Sequence, residues 1–230
     1  MTASPDHVAP TTLRDHLPWT VPFAAFLLLL LIGPLLPVSP AAEGAIRVGV
    51  LALIIWITSR RVLDFAAPRW FGSVLLGILV FVLWVAPDLV MPGYRDHALF
   101  QNALTGRVES SFPEVARGDP VAIAFRALRA ILIVPIVEEL FWRGWLMRWL
   151  VNPDFKQVPL GTVTPYAFIA TAVLFAVEHG AFWDVGLMAG IAYNWWMMRT
   201  RSLGDLILAH AVTNACLVGY VLASGRWEYL

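Results

Sequence analysis

The chain has 230 residues, 59% of them hydrophobic and 14% charged, and its 16 basic and 16 acidic side chains cancel. A soluble domain averages about 25% charged residues, so this much apolar surface has no place to hide from water. Zero net charge also gives no basic field to recruit nucleic acid and no acidic tail for a cationic partner.

Crossing about 30 Å of hydrocarbon takes about 20 consecutive apolar residues. Several runs meet that length, and the chain offers seven candidate spans in order: residues 18–38, 45–60, 70–90, 122–147, 163–181, 184–199 and 203–223. The first, Trp19 to Val38, follows Arg14 and precedes Ala41-Ala42 as the core of a signal peptide would. It exceeds the usual apolar core of about 7–15 residues and is read as an uncleaved span. Separate runs of this length leave no room for the alternating strands of a barrel, and helices satisfy their backbone internally. The expected fold is therefore all-α, a polytopic transmembrane helix bundle of about seven spans forming one integral membrane domain over residues 1–230.

Pro34, Pro37 and Pro135 predict kinks, tolerated where neighbours re-satisfy the freed carbonyls. Residues 91–120 carry Pro92-Gly93, Pro113, Gly118 and Pro120 and read as an extramembrane loop with a short helix or two. The lone Cys216 excludes an intramolecular disulfide and reads as a small buried residue. With the N-terminus cytoplasmic, the inner segments hold Arg14, Arg60, Arg61, Arg69, Arg148, Lys156, Arg199 and Arg201, and the outer ones only Arg95, Arg107, Arg117 and Arg226. That bias sets the expected orientation.

Ionisable residues inside a span cost about 2.5–3.5 kcal/mol each on insertion scales, so each is a functional hypothesis. They cluster in three places, within residues 121–224: Glu138, Glu139 and Arg143 in the fourth run, Glu178 and His179 at the end of the fifth, and His210 and Asn214 in the seventh. Positions i and i+4 share a helix face. Glu139 can therefore pair with Arg143, and His210 shares a face with Asn214, while Glu138 looks elsewhere. Each group has a bland reading alone: a structural ion pair, a snorkelling histidine, interhelical hydrogen-bond glue. Together, in a chain otherwise nearly free of buried charge, they supply a carboxylate base beside an imidazole and donors for a developing oxyanion, the parts of a hydrolase. Glu178 is expected to face outward or to partner His179, and Asp184, Asn194 and Asp205 to be cap or interhelical polar residues. No His-Glu-x-x-His, phosphate loop or nucleophile elbow competes.

In order, the three clusters resemble the motifs of the CAAX-protease and bacteriocin-processing (CPBP, or Abi) family of intramembrane proteases, which includes the type II CAAX prenyl endopeptidases. The matching residues are Glu138, Glu139 and Arg143 for Glu-Glu-x-x-x-Arg, Phe175 and His179 for Phe-x-x-x-His, and His210 and Asn214 for His-x-x-x-Asn. The resemblance implies that Glu138 and His179 activate water, that His210 and Asn214 stabilise the oxyanion, and that Glu139 and Arg143 hold the site together. It implies a membrane-anchored protein or peptide substrate within the lipid bilayer. The composition, rich in Arg, Ala and Trp, looks bacterial, which implies the inner membrane; one bacterial branch of the family accompanies exosortase-type sorting, and a prenylated substrate is not assumed. Cofactor need stays open between none and a divalent metal such as zinc, for which Glu138, His179 and His210 are the available ligands.

Two rivals remain at this level: a non-catalytic membrane binding or bacteriocin-immunity protein of the same fold, and a small transporter, which the absence of an internal repeat disfavours. The expected span ends also place Glu138 and His179 at different depths, so a kink at Pro135 or a later start of the fifth helix must bring them level.

Overall fold

The computed structural model describes residues 11–230. Seven long helices carry the fold: α1 (Leu13–Ile32), α2 (Pro40–Thr58), α3 (Trp70–Val90), α4 (Pro120–Trp149), α5 (Pro165–Glu178), α6 (Trp183–Thr200) and α7 (Leu203–Ser224), with no strand among the described residues. α1 to α4 and α7 are long and apolar enough to cross a membrane, whereas α5 is apolar but shorter. α6 carries Asp184, Asn194 and Arg199 and does not meet the same measure. It tolerates these groups because Tyr193 and Asn194 are buried against the other helices. Outward faces stay apolar, with Leu31, Ile57, Phe71 and Val177 all exposed. So extensive an exposed apolar surface needs lipid against it, and the chain is a multi-pass membrane protein.

Proline spacing explains one interhelical contact here. Pro22, inside α1, has no N–H to give the carbonyl four residues back. That carbonyl, Pro18 O, accepts from Ser59 Oγ at the end of α2 at 2.6 Å. Pro34 does not kink α1 but follows its end, within a single 3-10 turn at Gly33–Leu35.

One end of the bundle gathers the start of α1, the α2–α3 and α6–α7 turns and the α4–α5 connection. There Lys156 pairs with Asp15 at 3.0 Å, Arg69 N–H donates to Asp205 Oδ1 at 3.0 Å, and Ser202 caps α7 by accepting from Asp205 N at 3.1 Å. Asp205 thus serves as both cap-turn and interhelical group. At the other end Arg95 pairs with Asp88 and with Asp184, each at 2.9 Å. Residues 91–119 hold single 3-10 turns at Tyr94–Asp96 and Glu114–Ala116 and an isolated antiparallel bridge between Asn102 and Gly106, and tuck Phe100 and Phe112 inward. The chain's last residues fold back here: Trp227 stacks on Phe112 and Tyr229 O–H donates to Asp88 at 2.6 Å. Burial, then the Asp88 carboxylate, push the Tyr229 phenol up, so it remains a donor. Cys216 is half-buried on α7, less enclosed than its apolar run suggests.

α3 and α7 approach closely at Gly77, where a methyl group would lie 2.4 Å from Ala209 O and 2.7 Å from Val212 Cβ. Small residues permit such contact in membranes. Gly77→Ala is expected to separate the pair and cost about 1–3 kcal/mol, read as a lowered thermal midpoint in detergent. Gly219→Ala on α7, with open space around it, should not lower it; equal effects would contradict the contact.

Candidate active site

α4 changes register twice. It runs as a π-helix over Arg129–Ile133 and again over Leu140–Leu146, with the α-helical Val134–Glu139 between them. Each π turn widens the coil and re-aims the side chains that follow it. In the first, Val134 N–H donates to Arg129 O, five residues back. The next donor in that register would be Pro135, which has none. Its unmet acceptor, Ala130 O, instead accepts from Asn214 Nδ2 of α7 at 2.8 Å. The expected consequence of Pro135 is thus a change of helical register, with the freed carbonyl met from another helix. An amide carries two N–H donors, so this contact fixes Asn214 and leaves one donor.

Beyond Pro135, Glu139 and Arg143 are completely buried. Arg143 Nη1 donates to both Glu139 oxygens at 3.1 Å, Nε donates to Asn194 Oδ1 at 2.8 Å, and Nη2 donates to Gly190 O at 3.3 Å. Its guanidinium also lies 4.4 Å over the Phe175 ring. Asn194 is therefore the interhelical residue expected of it, tied as well to Phe168 O at 2.9 Å. Glu139 Oε1 lies 2.8 Å from His210 Nδ1. A carboxylate accepts, so this contact puts the proton on Nδ1 and turns Nε2 toward the cavity. The His210 ring stacks on Tyr193 at 5.1 Å, and Tyr193 O–H donates to Thr213 Oγ1 at 2.7 Å.

Glu138 faces away from that ion pair into a cavity of about 500 Å³ also lined by Glu178, His179, His210 and Asn214. Its Oε2 lies 4.0 Å from His210 Nε2 and is fully buried with no hydrogen-bond partner among the described residues. His179 caps the end of α5. Its Nδ1 sits 2.7 Å from Phe175 O, and because a carbonyl only accepts, Nδ1 carries the proton and Nε2 is the open nitrogen. Phe175 lies against both imidazoles, 4.6 Å from His179 and 6.3 Å from His210. That explains an aromatic residue four positions before the histidine. Gly186 of α6 lets His179 in, since a methyl group there would come within 3.1 Å of His179 Cβ.

The four residues read as catalytic therefore line one cavity, with the supporting pair directly behind it. No hydrogen bond joins Glu138 to His179; Glu138 approaches His210 instead. The depth conflict is resolved by register and helix start. At 1.5 Å per residue Glu138 stands about 16 Å from the Trp149 end of α4 and His179 about 21 Å from the Pro165 end of α5, a difference side chains span. Glu178 departs from its outward reading: it lines the cavity and its Oε2 accepts from Trp142 Nε1 at 3.1 Å. Trp142 is four residues past Glu138 on the same helix face, the spacing that could have pointed to it. Asp184 turns away from the cavity to Arg95 and to the Tyr94 hydroxyl, 3.1 Å away.

Zinc would need three of these side chains to converge on one point at about 2.0–2.2 Å. Glu138, His179 and His210 do not: among the described residues no group of three or more His, Cys, Asp or Glu is set to hold a metal ion. The donors as arranged do not fit a metal site.

Residues 120–216 match the sequence profile of the family described as Type II CAAX prenyl endopeptidase Rce1-like. No curated protein and no solved structure matches the chain significantly. The matched segment starts on the first residue of α4 and ends two residues past Asn214, so it holds all three polar motifs and the helices that carry them. Over that segment, the chain is similar to the Rce1-like family of type II CAAX prenyl endopeptidases.

Proposed function

We propose that this chain is an intramembrane endopeptidase that hydrolyses a peptide bond of a membrane-anchored protein or peptide. The observation that carries the reading is Glu138 Oε2, a buried acceptor with no donor among the described residues, facing a cavity that two histidines and an amide share. An unmet buried acceptor is costly, and a water molecule is the donor that both satisfies it and becomes the nucleophile. Glu138 takes the water's proton as its oxygen attacks the scissile carbonyl, and His179, through Nε2, orients or shares that proton. The oxyanion then accepts from the second Asn214 N–H and, when its ring is doubly protonated, from His210 Nε2–H. Collapse of the intermediate breaks the C–N bond, and the proton held by Glu138 passes to the leaving amine. Glu139 and Arg143 are positioning residues: the first aims His210, the second holds the first.

The basic end of the bundle supports a cytoplasmic N-terminus in a bacterial inner membrane. The cavity extends toward the opposite end, where Thr105, Arg107, Glu109, Ser111 and residues 228–230 line it.

The test is cleavage of membrane-anchored peptides by the purified protein, comparing wild type with Glu138→Ala, His179→Ala and His210→Ala. Full activity in all three variants overturns the mechanism. A chelator is expected to leave the rate unchanged; loss of activity restored by added zinc would establish a metal enzyme instead. Tight peptide binding with no cleavage by wild type would return the chain to the non-catalytic binding or immunity reading.

A further inference from the structure

Arg126 and Arg129 lie three residues apart on α4, Arg129 opening the first π segment and Arg126 one turn nearer the loop end. Both line the site cavity, and both also line a second cavity of about 270 Å³ whose walls include Leu36, Val38, Phe112 and Phe125. They stand at the junction of the two. Arg129 is 6% exposed and forms no hydrogen bond or ion pair among the described residues. Arg126 has one neutral partner, Ser111 Oγ, which accepts from Nη2 at 2.6 Å. Nearby charge does not cancel them. Glu43 is taken by Arg47, and Glu228 is engaged by Arg226 at 2.8 Å. Glu109, Glu138 and Glu178 line the site cavity without forming an ion pair to either guanidinium.

A buried charge is costly unless paired, and guanidinium forks match planar anions two bonds at a time. Arg129 precedes Glu138 by nine residues, about 13 Å along the helix, or roughly four residues of extended peptide at about 3.3 Å each. Arg129 also lies about 13 Å from the Pro120 end of α4, deeper than a lipid phosphate at the headgroup level. Resting on the protease reading, we propose that Arg126 and Arg129 form a subsite for a carboxylate of the substrate peptide, roughly four residues from the bond that is cut. The carboxylate is either an acidic side chain, with the chain continuing into the second cavity, or the peptide's own terminus.

Binding tests this separately from hydrolysis. The probes are N-palmitoylated apolar octapeptides in three forms: free C-terminus, amidated C-terminus, and amidated with glutamate fourth from the end. Binding is measured to Glu138→Gln protein in nanodiscs. At least one charged peptide should bind about tenfold tighter than the neutral amide, the worth of one charge-assisted pair; which one does identifies the source of the carboxylate. Arg126→Gln and Arg129→Gln should each erase most of that difference, while Arg129→Lys, keeping the charge if the buried site tolerates no neutral residue, should retain part. Equal binding of all three peptides, no binding of the charged ones, or a preference that survives both Gln substitutions overturns the subsite. A preference for phosphatidylglycerol over phosphatidylcholine nanodiscs that is lost on Arg129→Gln would assign the pair to lipid and also overturn it. Charge-selective binding without cleavage by wild type would leave the subsite standing and remove the protease; cleavage without charge selectivity would do the reverse.

Discussion

Glu138→Gln should reduce peptide hydrolysis by about 10²–10⁴-fold, the usual worth of a positioned general base, with little change in thermal stability. The substitution keeps the side chain's shape and an oxygen facing the cavity but removes its capacity to take a proton. Glu138 Oε2 has no hydrogen-bond partner among the described residues, so the fold loses none there. A single-turnover assay separates the outcomes: a lowered rate with unchanged peptide affinity is expected. Retention of more than a tenth of the wild-type rate would move the role of base to Glu178 or His179, which share the cavity.

The largest effect on stability is expected from Arg143→Met. The methionine fills comparable volume, but Glu139 is left as a completely buried carboxylate, and Asn194 Oδ1 and Gly190 O lose their donor together. Breaking a buried pair from one side costs about 3–5 kcal/mol, and the stacking on Phe175 is lost as well. The variant should unfold at much lower temperature in detergent or fail to accumulate. Adding Glu139→Gln should restore part of the stability, because the uncompensated charge goes with it, yet activity should stay low because His210 loses the anion at Nδ1. If the single and double variants are equally unstable, the cost lies in packing and not in the stranded charge.

Much of this was legible along the chain. Hydropathy over windows of about 20 residues located all seven helices, and the spacing of Glu139 and Arg143 announced an ion pair because i,i+4 geometry is a property of one helix. His210 and Asn214 share a face of α7 for the same reason. What hydropathy could not see was α6 as an inward-facing helix: polar Asn194, which makes the helix less apolar, faces the core and accepts from Arg143. Glu178 was misjudged because a glutamate beside a histidine at a helix end gives no direction; Trp142, on another helix, decides it.

By itself, then, the sequence determined a polytopic helical membrane protein whose rare ionisable residues fall on three spans, since span length, apolar run and helical period are all local quantities. Only the tertiary structure decided how those residues meet. Glu139 reaches His210 across 71 positions and Asn214 reaches Ala130 across 84, and no local period encodes either contact. Pro135 joins the two levels. Its missing N–H is written in the sequence, but only the π register of α4 determines that the orphaned carbonyl is that of Ala130, and only the approach of α7 brings the amide that satisfies it. That the Arg126–Arg129 pair and Glu138 line one cavity likewise follows from the packing of several helices, since the cavity exists only once the bundle has formed.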